Sequence, residues 1–336
     1  MNRQWVVARA SESEGMCLEP EVFGQMESPI PKVGKGQILI QNQLLVCEPL
    51  VHAMVKGVPG RIEPLAVGSA FRGHAGGVVV QSLHPDFKEG DEVHGMLDWA
   101  DFVLSDGFDG NGLPLSRCSP QFNLSTNMIT LGMTGLCAFI GLFEIGRPLP
   151  GDAVAVSAAA GGVGSIAIQL AKIAGCKTIG IAGGPRKTAL LREKLGVEIA
   201  LDYKNTDLAS DLGSASPKGI NVFFDNVGGD VLDAVLINLA KFGRVAVCGG
   251  IGSYDNAEAV VRNTTLLTQK NGLVQGFWYS DYEHIYERAL DAMSGWIRSG
   301  ELQEFTDIAK GFESVPRSVR GIFAGENLGK QLVELS

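Results

Sequence analysis

The sequence predicts an α/β chain in which a doubly wound parallel sheet domain is joined to a β-rich domain. Three observations lead there. From about residue 150 to 250, buried-type strands alternate with helices. Before residue 119, short apolar runs are separated by Gly and Pro. After residue 280, the chain returns to a single amphipathic helix and a final strand. The length of 336 residues suits two domains.

In the first part, Gln37–Val46 reads as a strand and Gly76–Gln81 as a second. Glu92–His94 is a third, after the turn Lys88-Glu89-Gly90-Asp91. This pattern indicates a barrel or sandwich. The apolar stretch Ile129–Ile145 is broken by glycines and polar residues, so it reads as a buried helix rather than a membrane span. Asp152–Ala158 is a continuous apolar run, as in a strand buried on both faces. Gly164–Ala174 has helical periodicity, and Lys177–Ala182 is a second buried strand. Arg186–Leu195 reads as a helix ending at Gly196, and Ile199–Leu201 as a short third strand. Val222–Asp225 and Arg244–Gly249 are further strands, with a helix over Val231–Ala240 between them. Right-handed crossovers make such an array doubly wound. Tyr282–Ser299 is amphipathic, and Gln331–Leu335 is the last strand.

Composition narrows the function class. Hydrophobic residues are 45% and charged residues 19%, which supports a packed core. A net charge of -9 argues against nucleic-acid binding, which needs a concentrated basic surface. Six scattered cysteines, with no C-x-x-C pair, suit reduced thiols in a cytoplasmic protein. The N-terminal residues Met1 to Trp5 lack the apolar core of a signal peptide.

The segment Val154 to Gly164 joins a buried strand to an apolar helix. Such a junction aims helix N–H groups and the helix dipole at an anion. Here Ala158-x-x-Gly161-x-x-Gly164 stands in for the usual G-x-G-x-x-G. Its strand and helix context makes it a dinucleotide-binding turn, with Gly161, Gly162, Val163 and Gly164 at the pyrophosphate. NAD proteins place an acid about 20 residues further on. The strand Lys177–Ala182 instead leads into Gly183-Gly184-Pro185-Arg186-Lys187. Arg186 and Lys187 attract a 2′-phosphate through charge-assisted hydrogen bonds, so the expected cofactor is NADPH.

The motifs then follow a known order: Leu131–Phe139, Val156–Gly164, Gly180–Gly184, Asp202-Tyr203-Lys204 and Phe224–Gly229. Cys248–Tyr254, Gln275-Gly276-Phe277 and Asn327-Leu328-Gly329-Lys330 complete it. The chain resembles the zinc-independent medium-chain dehydrogenases/reductases of the prostaglandin reductase, leukotriene B4 12-hydroxydehydrogenase and alkenal double-bond reductase family. The resemblance runs from about Gly34 to the C-terminus and is dense from Ile129 onward. It implies a GroES-like catalytic domain of residues 1–120 plus 305–336 and a Rossmann domain of residues 121–304. It also implies a homodimer in which edge strands of two Rossmann sheets join, and reduction of the C=C bond of an α,β-unsaturated aldehyde or ketone by NADPH. Carried over by motif, Lys187 and Tyr203 hold the 2′-phosphate end. Asn226, the stretch Cys248, Gly249, Ile251 to Tyr254, then Phe277, Trp278, Tyr279 and Asn327, line the rest of the cofactor.

The sequence departs from the family near the substrate. Where the family commonly has Asp-Pro-Tyr-Met-Arg-Gly, this chain has Glu48-Pro49-Leu50-Val51-His52-Ala53. Leu50 and His52 thus replace a Tyr and an Arg in the expected substrate pocket, with Met133 and Phe139 as further lining. Cys47 and His74 sit where zinc-dependent relatives place ligands. Ala75 follows that His instead of Glu, and Met133 takes the third-ligand place, so no metal is expected. Hydride transfer to the β-carbon of an enone leaves charge on the carbonyl oxygen, which needs a donor. Tyr254 is the expected donor, with the cofactor ribose as an alternative. An NADPH:quinone reductase, an alcohol dehydrogenase and a non-catalytic NADPH-binding protein remain as other readings at this level.

Overall fold

Strands dominate the first part of the chain because β-branched and aromatic residues alternate there between Gly and Pro breaks. The computed structural model describes residues 1–9, 18–58, 60–253 and 261–335. In chain order the first elements are β1 (Asn2–Val7), β2 (Phe23–Ser28), β3 (Ile38–Val46), α1 (Leu50–Lys56), β4 (Arg72–Ser82), β5 (Glu92–Asp98), β6 (Phe102–Ser105), β7 (Ser116–Arg117) and α2 (Leu124–Met128). They belong to a unit of Met1–Ile129 and Thr306–Ser336, whereas Thr130–Phe305 forms a second unit.

The second unit begins with α3 (Met133–Phe139), which runs directly into a π-helical turn over Ile140–Gly146. Then come β8 (Ala153–Val156), α4 (Gly162–Ile173), β9 (Lys177–Ala182), α5 (Pro185–Glu193), β10 (Ile199–Asp202), α6 (Leu208–Ala215), β11 (Ile220–Asp225), α7 (Gly229–Ile237), β12 (Leu239–Val247), α8 (Leu266–Lys270), β13 (Leu273–Gly276) and α9 (Tyr286–Ser299). The chain finishes in the first unit with β14 (Thr306–Lys310), α10 (Val315–Phe323) and β15 (Lys330–Glu334).

The first unit carries a seven-stranded sheet in the order β14-β15-β3-β4-β5-β7, with β6 added to β3. Only the β14–β15 pair is parallel among these strands. Its core is aromatic: Trp5 stacks on Phe312 at 5.5 Å, Phe23 on Phe71 at 4.7 Å, and Phe71 on Trp99 at 5.7 Å. Offset rings of this kind add about 0.5–1.5 kcal/mol each beyond area burial. The Trp5 indole N–H donates to the Phe312 carbonyl, so its polar edge is satisfied.

The second unit is the parallel sheet, with six strands in the order β10-β9-β8-β11-β12-β13. Every pairing is parallel. Val154, Ala155, Val156, Phe223, Phe224, Val245 and Ala246 are buried, as expected of strands covered on both faces. The fold class read from the sequence is therefore correct: an α/β chain with a doubly wound parallel sheet and a separate β-rich unit.

Several boundaries differ: β4 and β5 run longer than the sequence suggests, and Ile129–Ile145 is not one helix but α3 and the π turn. Two further differences have a local cause. The run Val231–Ala240 is not one helix: α7 stops at Ile237, and Leu239 and Ala240 already belong to β12, which ends at Val247 rather than Gly249. The amphipathic segment from Tyr282 starts as 3-10 turns, and α9 begins only at Tyr286, because Tyr282 has non-helical φ −119° and ψ 27°.

Candidate functional site

In the parallel sheet, β9 and β10 lie to one side of β8 while β11, β12 and β13 lie to the other. The crevice at the carboxyl ends of β8 and β11 is where such sheets bind ligands. The turn after β8 shows how the sequence shapes that crevice. Ala158 takes a left-handed φ of 46°, an uncommon choice for a residue with a Cβ. Its carbonyl then accepts from the Gly161 N–H at 2.9 Å. A Cβ on Gly164 would stand 2.2 Å from that same carbonyl oxygen, so only glycine fits. Gly161 is the N-cap of α4, without a side-chain cap, and the N–H groups of the first helical turn are left for a ligand.

The end of β11 ties this turn to its neighbours. Asp225 is fully buried, and its Oδ1 accepts from the Ser157 hydroxyl, the Val227 N–H and the Gly228 N–H, each at 3.0 Å. Burial pushes its carboxyl up from the usual range, and these donors pull it back. Asn226 donates from Nδ2 to the Ser157 carbonyl at 2.7 Å, and its own N–H donates to the Ser157 hydroxyl at 2.8 Å. The next loop is pinned in turn: Cys248 and Gly249 donate to the Asp225 carbonyl, and Ile251 donates to the Asn226 carbonyl. Asn226, Cys248, Gly249 and Ile251 thus gather beside the glycine turn. Tyr254 lies outside the described residues. The sequence carries one signal for the role of Asp225: an acid that ends a buried strand, with the glycine pair Gly228-Gly229 soon after.

Beyond β9 the backbone turns at Gly184, with φ 90°, and Arg186 and Lys187 open α5. Lys187 is half-buried, and its ammonium is lowered by burial, then by Lys204, then by Arg186. Tyr203 and Lys204 cover Gly183, where a Cβ would meet both side chains at 2.9 Å. None of these three cations forms an ion pair among the described residues. The sequence places no acid at the end of β9, but the fold brings one from the next strand. Asp202 pairs with Ala182 in parallel register and accepts from the Gly184 N–H at 2.8 Å.

Phe277, Trp278 and Tyr279 follow β13. The Phe277 ring packs on Gly141 of the π turn and meets Tyr282 edge-on at 6.4 Å. Tyr279 stacks with Tyr286 at 6.4 Å, and the Tyr286 hydroxyl donates to the Tyr279 carbonyl at 3.1 Å. Met133 is the first residue of α3 and is half-buried. Phe139, at the other end of α3, is buried against Phe143 at 4.8 Å and Trp296 at 6.4 Å.

In the first unit, Leu50 and His52 lie on α1, and the buried His52 ring is 6.1 Å from Phe323. Asn327 is buried and donates from Nδ2 to the Gly329 carbonyl at 2.7 Å. Glu48 and Lys330 form a buried ion pair at 3.0 Å, which the antiparallel pairing of β15 with β3 brings about. His74 Nε2 lies 3.2 Å from His94 Nδ1. Burial drives the Cys47 thiol well above its ordinary range. Among the described residues, no group of three or more His, Cys, Asp or Glu side chains is arranged to hold a metal ion.

Comparison with known proteins agrees with this geometry. Residues 162–295 match the zinc-binding dehydrogenase family model, and residues 3–112 match that of the N-terminal domain of oxidoreductase. The chain is 36% identical to the NADP-dependent 2-alkenal reductase of Nicotiana tabacum, over 90% of this chain and 88% of that protein. It is 33% identical to the NADPH-dependent curcumin reductase of Escherichia coli, over 100% of this chain and 97% of that protein. The structure of CurA from Vibrio vulnificus in complex with NADPH superposes with a TM-score of 0.91 at 31% identity, covering 99% of both chains. A site built for a dinucleotide, on a chain this similar over nearly its whole length, gives one answer: the protein belongs to the zinc-independent medium-chain dehydrogenase/reductase family that includes the prostaglandin, alkenal and curcumin reductases.

Proposed function

We propose that this chain is an NADPH-dependent oxidoreductase that reduces the C=C bond of α,β-unsaturated aldehydes or ketones. Family membership supports the reaction. The cradle at the carboxyl ends of β8 and β9 supports the cofactor. Its fit to a phosphorylated dinucleotide rests on Gly164, where any side chain would strike the Ala158 carbonyl, and on cations one strand away that form no ion pair among the described residues. In this reading Gly161, Gly162, Val163 and Gly164 hold the pyrophosphate, and Arg186, Lys187 and Tyr203 hold the 2′-phosphate. Asn226, Cys248, Gly249, Ile251 and Phe277 to Tyr279 line the nicotinamide half. The bound cofactor supplies the hydride for the β-carbon.

The protein's task is to bind, to orient and to stabilise charge. As negative charge grows on the carbonyl oxygen, Tyr254 donates a hydrogen bond to it, and the α-carbon takes its proton from water. Leu50 and His52 stand where the family pattern has a phenol and a guanidinium, so α1 offers an apolar side chain and an imidazole to the substrate instead. The working form is a cytoplasmic homodimer. The open edge of β13, with Leu273 49% and Val274 37% exposed, supports that assembly. No described helix is long and apolar enough to cross a membrane.

The deciding experiment follows NADPH and NADH oxidation against enals, enones and quinones, with the product identified. NADPH-dependent formation of the saturated carbonyl compound is expected. Turnover of quinones alone would replace this reading with a quinone reductase. Tyr254→Phe is expected to lower kcat/KM by roughly 10²–10³, the scale of one lost oxyanion donor; an unchanged rate removes Tyr254 from the mechanism.

A further inference from the structure

The acid that the fold brings to the end of β9 is not aimed at a ligand. Asp202 Oδ1 accepts from the Gly184 N–H at 2.8 Å and from the Lys204 N–H at 3.2 Å, and Oδ2 accepts from the Asn205 amide at 2.7 Å. Its own carbonyl accepts from the Thr206 hydroxyl at 3.2 Å. One side chain therefore fastens the β9–α5 turn to the β10–α6 turn. These bonds hold its carboxyl below the usual range, the Gly184 N–H contributing most.

The clamp has an electrostatic consequence. It brings Lys204, from one turn, towards Arg186 and Lys187, from the other; Asp202 acts on Lys204 through its charge, but none of the three cations forms an ion pair among the described residues. Like charges held together cost free energy, and a multivalent anion seated among them removes that cost. A carboxylate already bonded to two N–H groups and an amide has few acceptor sites left for ribose hydroxyls, and the three cations outnumber its single negative charge.

We propose that Asp202 is a positioning residue that builds the 2′-phosphate seat, and that Lys204 is its third cation. The pair sets preference for phosphorylated over unphosphorylated dinucleotide. An acid near this place, which in NAD proteins rejects the phosphate by binding the ribose hydroxyls, here serves the opposite selection by binding backbone. The inference rests on the NADPH reading of the site.

The test is calorimetric titration of the full chain with adenosine 2′,5′-bisphosphate and with 5′-AMP. Wild type binds the bisphosphate more tightly; if it binds both alike, the NADPH reading itself fails. Lys204→Gln is expected to weaken the bisphosphate about tenfold and leave 5′-AMP within about twofold, as for loss of one charge-assisted contact. Asp202→Ala behaves likewise, because the turn loses its clamp. Asp202→Asn keeps an acceptor for the Gly184 N–H and stays within about threefold of wild type. If wild type discriminates but either Asp202→Ala or Lys204→Gln keeps that discrimination, the inference fails alone. Bisphosphate binding about tenfold tighter in Asp202→Asn also overturns it, since Asp202 would then be a repelling charge. Equal weakening of both ligands reduces Asp202 to a structural part. Should Asp202→Ala not fold, the other two variants decide.

Discussion

At the scale of single residues, the glycines of the turn after β8 have separable duties. Gly164 has no room for a side chain: its Cβ would lie 2.2 Å from the Ala158 carbonyl oxygen, which belongs to backbone and cannot swing away. Gly164→Ala is therefore expected to cost about 2–4 kcal/mol of stability, as overpacking against fixed backbone does, and urea denaturation reads it directly. Gly161 is different. Its φ of −93° suits any residue, and its Cβ would meet only the Ala158 oxygen at 3.1 Å. Gly161→Ala should change stability by less than about 1 kcal/mol, yet weaken NADPH about tenfold or more by placing a methyl group where phosphate must approach the helix N-terminus. Equal losses in both measurements for both variants would mean that the turn is only structural. The turn was legible in the spacing of Gly161 and Gly164, which set all four residues from Gly161 to Gly164 alike at the pyrophosphate. The left-handed Ala158 was not, since a side chain at such a φ runs against local preference and is fixed by the fold around it. Nor was Asp202, because its contact with Gly184 spans 18 residues and depends on two strands being paired.

Elements show the same split between local and long-range information. The buried strands β8, β9 and β11 were readable because strands covered on both faces are continuous apolar runs. The edge strands were not: β13 is the four residues Leu-Val-Gln-Gly, and β14 mixes Thr, Asp and Lys with Ile and Ala, so neither has a clean period. Helix α7 merged with β12 in the sequence because only Asn238 separates them, with no Gly or Pro. Asn238 ends the helix by donating from Nδ2 to the carbonyls of Ala234 and Ala209. Pairing of β4 with β5 has a consequence for acid stability. It sets His74 against His94 inside the first unit, where burial lowers them to about 4 and about 3, with Lys330 lowering His74 further and Asp109 opposing. An imidazole whose folded value lies below its unfolded 6.5 stabilises the fold above pH 6.5, and that contribution fades as the pH falls towards the folded value. Moving from pH 7 to pH 5 should thus remove about 4 kcal/mol through this pair, about 2 from each imidazole, and chemical denaturation at both values measures it. His94→Asn should roughly halve the difference, because His74 stays buried. A wild-type stability independent of pH across that window would show that the pair is hydrated or already charged.

On the scale of the whole molecule, charge and edges decide what the chain meets. With a net charge of -9, the overall field disfavours a polyanionic cofactor, so its capture depends on local cations and on aligned N–H groups. Edges pose the other problem. In the six-stranded sheet, β13 pairs with β12 in parallel through Arg244 to Val247, and its far side has no strand partner among the described residues. An edge with exposed Leu273 and Val274 is a template for another strand. Natural proteins protect such an edge with charge, with a bulge or by pairing, and neither Leu-Val-Gln-Gly nor its regular register supplies the first two. A second copy offers the third, since a two-fold axis beside β13 would join the two edges antiparallel into one continuous sheet. The double substitution Leu273→Lys and Val274→Lys would then set like charges against each other across the axis. Sedimentation equilibrium should give twice the chain mass for the wild type and the single chain mass for the variant, with unfolding of the isolated chain little changed because both side chains already face water. A wild type that sediments as one chain, or a variant that stays paired, would place the contact elsewhere or remove it.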